Sequence, residues 1–329
     1  MKASLLSFTR FAPQQLVQEI VVEGKEAMLG GERREVTLLF SDLRNFTRFS
    51  EQTRPEAVVH ILNTHFDKMV QLINQHNGFV VDFLGDSLFA VFGAPDGDPE
   101  HASKAVSCAI EMQLLRQQMN LAETDLPPLE MGIGINTGPC VVGNMGALIR
   151  IKYGVVGHAV NLASRIESFT VGGQVLISES TRQVISDQFV VAGPLEAFGK
   201  GVESAIHLWE LRGVLNQENK TLPPTVPGLT WLAKPIPVHI RLFTGKQINP
   251  TPYEAKLLRL SPAGAELEAK LDLGAFAPLQ VEIPGTPGES YLIDSKVVAV
   301  LEKESSFIIR FTGIDADAAG TLQHWLTRN

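Results

Sequence analysis

Cysteine is nearly absent. Only Cys108 and Cys140 occur in 329 residues, so one disulfide at most can form, which excludes a secreted scaffold stapled by several bridges and favours a reducing compartment. Long apolar runs are missing too. None approaches the roughly 20 residues that a membrane-spanning helix needs, and the opening stretch Met1–Phe8 is cut by Thr9 and Arg10 before a signal-peptide core can form. There is no basic excess: Lys and Arg total 28 against 36 Asp and Glu, for a formal net charge of −8. That argues against binding nucleic acid through a general basic surface, while leaving room for a local cationic cleft. No repeat or low-complexity tract is visible. The expectation is a cytoplasmic protein with neither membrane nor nucleic acid as a partner.

What is present is ordinary globular composition, 44% hydrophobic and 19% charged, which excludes disorder along the whole chain. At about 150 residues per domain, the length predicts roughly two domains. The stretch from Leu215 to Pro237 holds Pro223, Pro224, Pro227, Pro235 and Pro237 with little periodicity and reads as a partly extended linker.

Before that stretch, strands alternate with long helices. Val36–Phe40 is a buried-strand run. Pro55 starts a helix whose apolar positions, from Val58 to Ile73, recur at helical spacing until Gly78. Phe79–Phe83 and Leu88–Phe92 form a hairpin across Leu84-Gly85-Asp86-Ser87. A second helix spans about His101 to Met119. Strands follow at Met131–Asn136, Cys140–Val142 and Tyr153–Val156, then a helix over Val160–Ser168. The order predicts an α+β fold: a ferredoxin-like βαββαβ sheet with helices on one face. After the linker the period becomes two, as in Ala265–Leu271, which predicts a small β-barrel, closed by a helix that Asp315 caps.

Two carboxylates stand where chemistry is expected. Asp42, in Phe40-Ser41-Asp42-Leu43-Arg44-Asn45-Phe46-Thr47, lies where a strand gives way to a helix start, and free amides there attract phosphate. Asp86 lies at the hairpin tip. If the hairpin pairs beside the first strand, the two are positioned to share two metals about 4 Å apart; taken singly, each equally reads as the cap of a turn.

Together, Phe40–Thr47, Phe83–Gly93, Met131–Gly143 and Tyr153–Glu167 resemble the catalytic domain of class III adenylate and guanylate cyclases, over roughly Arg34 to Arg212. The resemblance implies that Asp42 and Asp86, helped by the Leu43 carbonyl, hold two divalent cations, Mg²⁺ or Mn²⁺. It implies that the Asn45, Phe46 and Thr47 amides cradle the triphosphate. Asn161 would orient the ribose and Arg165 would stabilise charge on the phosphate under attack; their four-residue spacing sets them on one helix face. Lys200, in Gly199-Lys200-Gly201, matches a lysine that contacts the terminal phosphates. The family works as head-to-tail dimers, so a homodimer with two sites is implied.

Two further positions choose the purine in this family, and here they are Asp82 and Gly154. Adenine presents an acceptor at N1 and a donor at N6, whereas guanine presents donors at N1 and N2 and an acceptor at O6. A carboxylate only accepts, so Asp82 suits guanine, and Gly154 leaves O6 to a backbone amide or water. The reading is a guanylate cyclase that converts GTP to cyclic GMP and pyrophosphate. The alternatives are an adenylate cyclase acting on ATP and a catalytically idle nucleotide-binding or sensing module. A diguanylate cyclase is disfavoured because the hairpin reads Leu84-Gly85-Asp86-Ser87-Leu88.

Weaker signals remain. His60, His65 and His76 on the first long helix read as solvated or packed positions. Cys108 and Cys140 read as buried thiols. Gly132-Ile133-Gly134 lacks the strand–helix context of a dinucleotide loop. Leu260-Ser261-Pro262-Ala263-Gly264 resembles the Asp/Asn-x-Ser-x-x-Gly motif of PilZ domains, but Arg259 replaces the acid. Upstream only Arg241 and Lys246 stand where that family has an arginine pair, so cyclic di-GMP binding is not expected and a regulatory or dimer-supporting barrel is. The expected division is an N-terminal helical segment, 1–32, with a helix starting at Pro13; a cyclase domain, 33–213; a proline-rich linker, 214–235; and a PilZ-like barrel, 236–329.

Overall fold

The computed structural model describes residues 28–122, 128–197, 205–244, 247–285, 289–301 and 305–327. The helix expected from Pro13, and Lys200, lie outside the described residues. The chain divides into two units. The first takes the chain up to Thr170 with Val175–Gly193 and Leu208–Leu222. The second takes the chain from Pro223 with Val171–Gln174 and Pro194–His207.

The first unit is built on a nine-stranded sheet of β1 (Gly30–Leu43), β2 (Gly78–Leu84), β3 (Ser87–Phe92), β4 (Met131–Ala147), β5 (Arg150–Val156), β6 (Val175–Ser178), β7 (Phe189–Ala197), β8 (Ile206–Val214) and β9 (Gln217–Thr221). Its order is β2-β3-β1-β4-β6-β8-β7, with β5 paired to β4 and β9 to β8. The four strands β2-β3-β1-β4, at one end of this order, have the βαββαβ arrangement. Among the described residues five helices accompany them: α1 (Phe46–Gln52), α2 (Pro55–Gln75), α3 (His101–Ala122), α4 (His158–Phe169) and α5 (Glu179–Val184).

Strand alternation distributes the core. Leu39 and Leu43 of β1 pack with Met69 and Ile73 of α2 and with Ala105, Ile110 and Met112 of α3. Val36, Leu38 and Phe40 face the other way, onto Ala159 and Ala163 of α4. The expectation of helices on one face therefore holds for α2 and α3 but not for α4, which covers the opposite face. Asp42 shares the parity of Leu38 and Phe40, so its side chain starts on the α4 side of the sheet.

Two stretches differ from the sequence reading. Met131–Asn136 and Cys140–Val142 are one strand, β4, paired to β1 without interruption from Met131 to Asn144. Thr137-Gly138-Pro139 is tolerated because Pro139 sits between the segments that bind β6 (Ile133–Ile135) and β5 (Val141–Ala147), where no second neighbour needs its missing N–H. Much of the stretch read as a linker is also strand: β9 returns antiparallel on β8 through a turn at Asn216, whose φ is 60°, and Thr230–Pro235 opens β10. Prolines at 235 and 237 are compatible with β10 because its ladder to β12 is irregular between Trp231 and Ile236.

The second unit is an antiparallel barrel. β10 (Thr230–Thr244), β12 (Tyr253–Ser261), β13 (Gly264–Glu268), β16 (Ser306–Gly313), β15 (Ser290–Leu301) and β14 (Pro278–Pro284) follow one another, and β14 pairs back to β10. β11 (Gln247–Ile248) extends β10 at its end. Leu257, Leu267, Val281, Ile293, Val297, Phe307 and Ile309 fill the interior with Ala318 and Leu322 of the terminal helix α6 (Ala316–Thr327). Asp315 caps α6, its Oδ1 accepting from Ala318 N at 2.7 Å. Ser261 folds the β12–β13 turn, its hydroxyl accepting from Ala263 N and donating to Gly264 O.

Candidate active site

Asp42 is the second-last residue of β1, and Asp86 sits in the β2–β3 turn beside Gly85, whose φ is 70°. Because β3 pairs antiparallel with β1, with Ser41 opposite Leu88, the condition set on the sequence is met and the hairpin tip arrives beside Asp42. The Ser87 hydroxyl donates to Asp42 Oδ1, and Arg44 Nη1 donates to Oδ2 at 3.1 Å. The Asp86 carboxyl is pushed above its ordinary value, first by burial and then by the neighbouring Asp42 charge and a hydrogen bond with it; the Arg44 cation opposes this only partly. Two crowded carboxylates, short of positive charge, are hard oxygen donors whose repulsion a divalent cation relieves. The donor set therefore fits the implied metals. Among the described residues no cluster of three or more His, Cys, Asp or Glu side chains competes with it.

Leu43 ends β1 opposite Met131, and Arg44 N then bonds to Glu130 O at 2.8 Å. Asn45 adopts the left-handed conformation, φ 59° and ψ 18°, and turns the chain into α1. Asn tolerates this better than most residues. The first-turn amides of α1, those of Phe46 and Thr47, have no intrahelical acceptor, whereas the Phe46 ring is buried in the core.

The orientation of Asp82 is set by an irregularity. The β2–β3 register shifts between Val80 and Asp82, a bulge that reverses alternation locally. Phe79 and Val81 lie on the α4 side of the sheet, and simple alternation would put Phe83 with them. Instead the Phe83 ring lies 4.5 Å from Phe66 of α2, and Asp82 turns toward β5. There Lys152 Nζ stands 2.6 Å from Asp82 Oδ2, while the Phe83 amide donates to Oδ1 at 3.1 Å. Tyr153 of β5 packs edge-on against Phe79, with 5.4 Å between the rings. Lys152 was not among the expected site residues; its place directly before Tyr153 and Gly154 was the available signal. Gly154 has no conformational need to be glycine: an added Cβ would meet only Met145 Sδ, at 3.4 Å, an ordinary contact.

Asn161 and Arg165 lie on the side of α4 opposite Ala159, Ala163 and Ile166, with Asn161 exposed and Arg165 half-buried. Neither bonds to Asp42 or Asp86 within the chain. The expected groups thus lie in three places: the aspartate pair at the hairpin tip, Asp82 and Gly154 beside Lys152, and α4.

A βαββαβ sheet with paired carboxylates at its hairpin tip and an Asn/Arg-bearing helix across it defines a nucleotide-cyclase type of catalytic domain. Residues 31–209 match the Adenylate and Guanylate cyclase catalytic domain, and the chain belongs to that family, the class III cyclases. Adenylate cyclase 1 of Rhizobium meliloti (strain 1021) is 33% identical over 222 residues, covering 66% of this chain and 33% of that protein. Adenylate cyclase of Anabaena cylindrica is 35% identical over 193 residues, covering 56% of this chain and 38% of that one. Among solved structures, the guanylyl cyclase Cya2 superposes with a TM-score of 0.56 at 46% identity, covering 59% of this chain and 100% of that one. The adenylyl cyclase CyaB from P. aeruginosa gives 0.53 at 36% identity, covering 58% and 99%. The chain spans about a third of the length of these curated relatives. No described helix is long and apolar enough to cross a membrane.

Proposed function

We propose that the chain cyclises GTP to cyclic GMP and pyrophosphate. The observation that carries guanine is the Asp82–Lys152 pair beside Gly154. With side chains about half exposed, 46% and 54%, such a pair adds only about 0–1 kcal/mol to stability, so stability is a weak reason for it. The edge of guanine presents an acceptor and then two donors. The Lys152 ammonium is suited to donate to O6, and the Asp82 carboxylate to accept from N1–H and N2–H. This supplies the O6 donor that Gly154 lacks. The 46% identity to a structure named as a guanylyl cyclase supports the same reading.

In this reading the 3′-hydroxyl attacks the α-phosphorus in line and pyrophosphate leaves. Asn161 orients the ribose, Arg165 neutralises charge on the phosphate under attack, and the amides of Asn45, Phe46 and Thr47 hold the triphosphate, with Lys200 reaching its end. Divalent cations held by Asp42, Asp86 and the Leu43 carbonyl would activate the hydroxyl and neutralise the leaving group. Asn161 and Arg165 serve the site of a second copy in a homodimer, as the resemblance to class III cyclases implies.

ATP is the second reading, favoured by the names of the curated relatives and by chemistry: Lys152 can donate to adenine N1 while Asp82 accepts from N6–H. The two readings differ at the guanine N2 amino group. Incubating the purified chain with Mn²⁺ or Mg²⁺ and either nucleotide, and quantifying both cyclic products, tests them; dominant cyclic AMP overturns the guanine assignment, and no product from either overturns the cyclase reading.

For the barrel, the strand–helix ending β16–α6 supports a PilZ-like identity. Arg259 is committed to Glu266 and stacked 5.1 Å from the Trp231 ring, and Arg241 to Glu282. The barrel is read as regulatory or dimer-supporting.

A further inference from the structure

Arg44 follows the candidate metal ligand Asp42 by two residues, yet its guanidinium is anchored at both ends. Nη1 donates to Asp42 Oδ2 at 3.1 Å. Nη2 donates to the carboxylate of Glu167, to the Glu167 carbonyl at 3.2 Å and to the Thr170 hydroxyl. Glu167 belongs to the last turn of α4, and Thr170 is the residue that terminates it. One planar fork thus spans from the end of β1 to the end of the helix that carries Asn161 and Arg165.

The surroundings are shaped for this fork. Gly132 of β4 lies directly under it: a Cβ there would fall 2.0 Å from both Arg44 Nη2 and Thr170 Oγ1. Gly134, the next residue on that face, lets the α4 backbone approach, since its Cβ would fall 2.2 Å from Glu167 N. The Gly132-Ile133-Gly134 motif is therefore the bed of the guanidinium and of the helix end, with no part in a dinucleotide loop. Arg44 Nε is buried without a hydrogen-bond partner among the described residues, so the group is placed by its two ends and not by saturating its donors. A lysine ammonium has no second arm with which to span the same two elements. Asp42, for its part, has both oxygens held, by Ser87 and by Arg44.

The geometry points to Arg44 as a positioning residue, a strut that ties Asp42 to α4 so that ligand at the aspartate pair also fixes the helix presenting Asn161 and Arg165. This rests on the cyclase reading above. Since α4 would serve the second copy's site, the strut links the two sites of a dimer within each protomer.

The test compares the full chain with Arg44→Ala and Glu167→Gln, using Mn²⁺ with the 3′-deoxy form of whichever nucleotide is turned over, which lacks the attacking hydroxyl. In the unmodified chain, ligand should slow amide exchange across residues 158–169 by about threefold or more. In Arg44→Ala that slowing should be lost, and in Glu167→Gln, which keeps the carbonyl and Thr170 contacts and removes only the carboxylate charge, it should be reduced, while Mn²⁺ binding, read by electron paramagnetic resonance, persists in both. With reactive substrate, kcat should fall on the order of tenfold or more and KM stay within about threefold, as for a misplaced catalytic group. Glu167→Gln leaves the Asp42 contact in place and covers the case in which Arg44→Ala does not fold. Exchange and kcat matching the unmodified chain in a folded variant overturn the strut, as does an unmodified chain whose α4 exchange ignores bound ligand. An unmodified chain that neither binds Mn²⁺ nor forms product overturns the cyclase reading instead.

Discussion

Lys152 and Asp82 meet at 2.6 Å although their strands, β5 and β2, share no ladder: β5 pairs with β4, and β2 with β3. The contact exists because a bulge turns Asp82 toward β5 while Phe79 and Tyr153 pack the two strands together. If this pair reads the base, Lys152→Ala should lower kcat/KM for GTP by about tenfold, the scale of one lost hydrogen bond to a charged group. Product assays at fixed Mn²⁺ measure it, and an unchanged value would remove Lys152 from recognition.

Conversion of base preference is accessible because Gly154 is open. Asp82→Lys combined with Gly154→Thr installs a donor for adenine N1 and an acceptor for N6–H, and the Cβ added at 154 meets only Met145, at ordinary distance. The ratio of cyclic GMP to cyclic AMP should fall on the order of 100-fold, because mispaired polar groups reject the wrong base strongly. An unaltered ratio in the folded double variant would show that the base is chosen elsewhere.

The βαββαβ core was legible because it follows from local pattern: apolar alternation in β1, helical spacing in α2 and α3, and a tight turn before Ser87. The meeting of Asp42 with Asp86 was legible only on the condition that the hairpin pair beside β1, and through the resemblance to cyclases. What escaped depends on long-range geometry. A proline inside β4 is acceptable only where neither β5 nor β6 pairs, which no window of sequence reveals. The bulge that re-aims Asp82 is silent in Val80-Val81-Asp82, and Lys152 gains meaning only once β5 folds over β2. Proline content misled at the linker, because irregular pairing in β10 accommodates residues that a regular ladder would exclude.

Asp42→Ala should abolish turnover, with a loss on the order of 1,000-fold or more if the aspartate pair holds the cations. The fold should survive: the substitution removes a charge that crowds Asp86, so the Asp86 carboxyl should move back down toward its ordinary range. A melting temperature within about 3 °C of the unmodified chain, together with lost cyclic product, is the expected pair of results. Retained turnover would refute the metal assignment.

His65 provides a pH test remote from the aspartates. It is buried on α2 with Nδ1 lacking a hydrogen-bond partner among the described residues, and burial, aided by the Arg116 charge, holds its pKa down to about 3. The unfolded chain, with an ordinary histidine near 6.5, binds the proton first, so stability falls as pH drops below about 6.5 and keeps falling until about 3. The slope from this one group is on the order of 1 kcal/mol per pH unit. His65→Leu should remove that component, so denaturant titrations of the two proteins should diverge progressively on acidification, the variant becoming relatively more stable. Parallel pH profiles would contradict the burial argument.

Gly134→Ala is the sharpest test of how α4 is seated. The new Cβ would fall 2.2 Å from Glu167 N and 2.5 Å from its Cα, and backbone atoms cannot swing aside as a side-chain tip can. Relief requires α4 to lift from β4, carrying Asn161 and Arg165 with it. Overpacking of this kind costs about 1–3 kcal/mol, and turnover should fall together with stability in chemical denaturation. Gly154→Ala is the control, since its Cβ meets nothing closer than 3.4 Å and should change stability by less than about 0.5 kcal/mol. If Gly134→Ala matched that control in stability and the unmodified chain in turnover, the close approach of α4 to β4 would be wrong, and with it the bed on which the Arg44 guanidinium is placed.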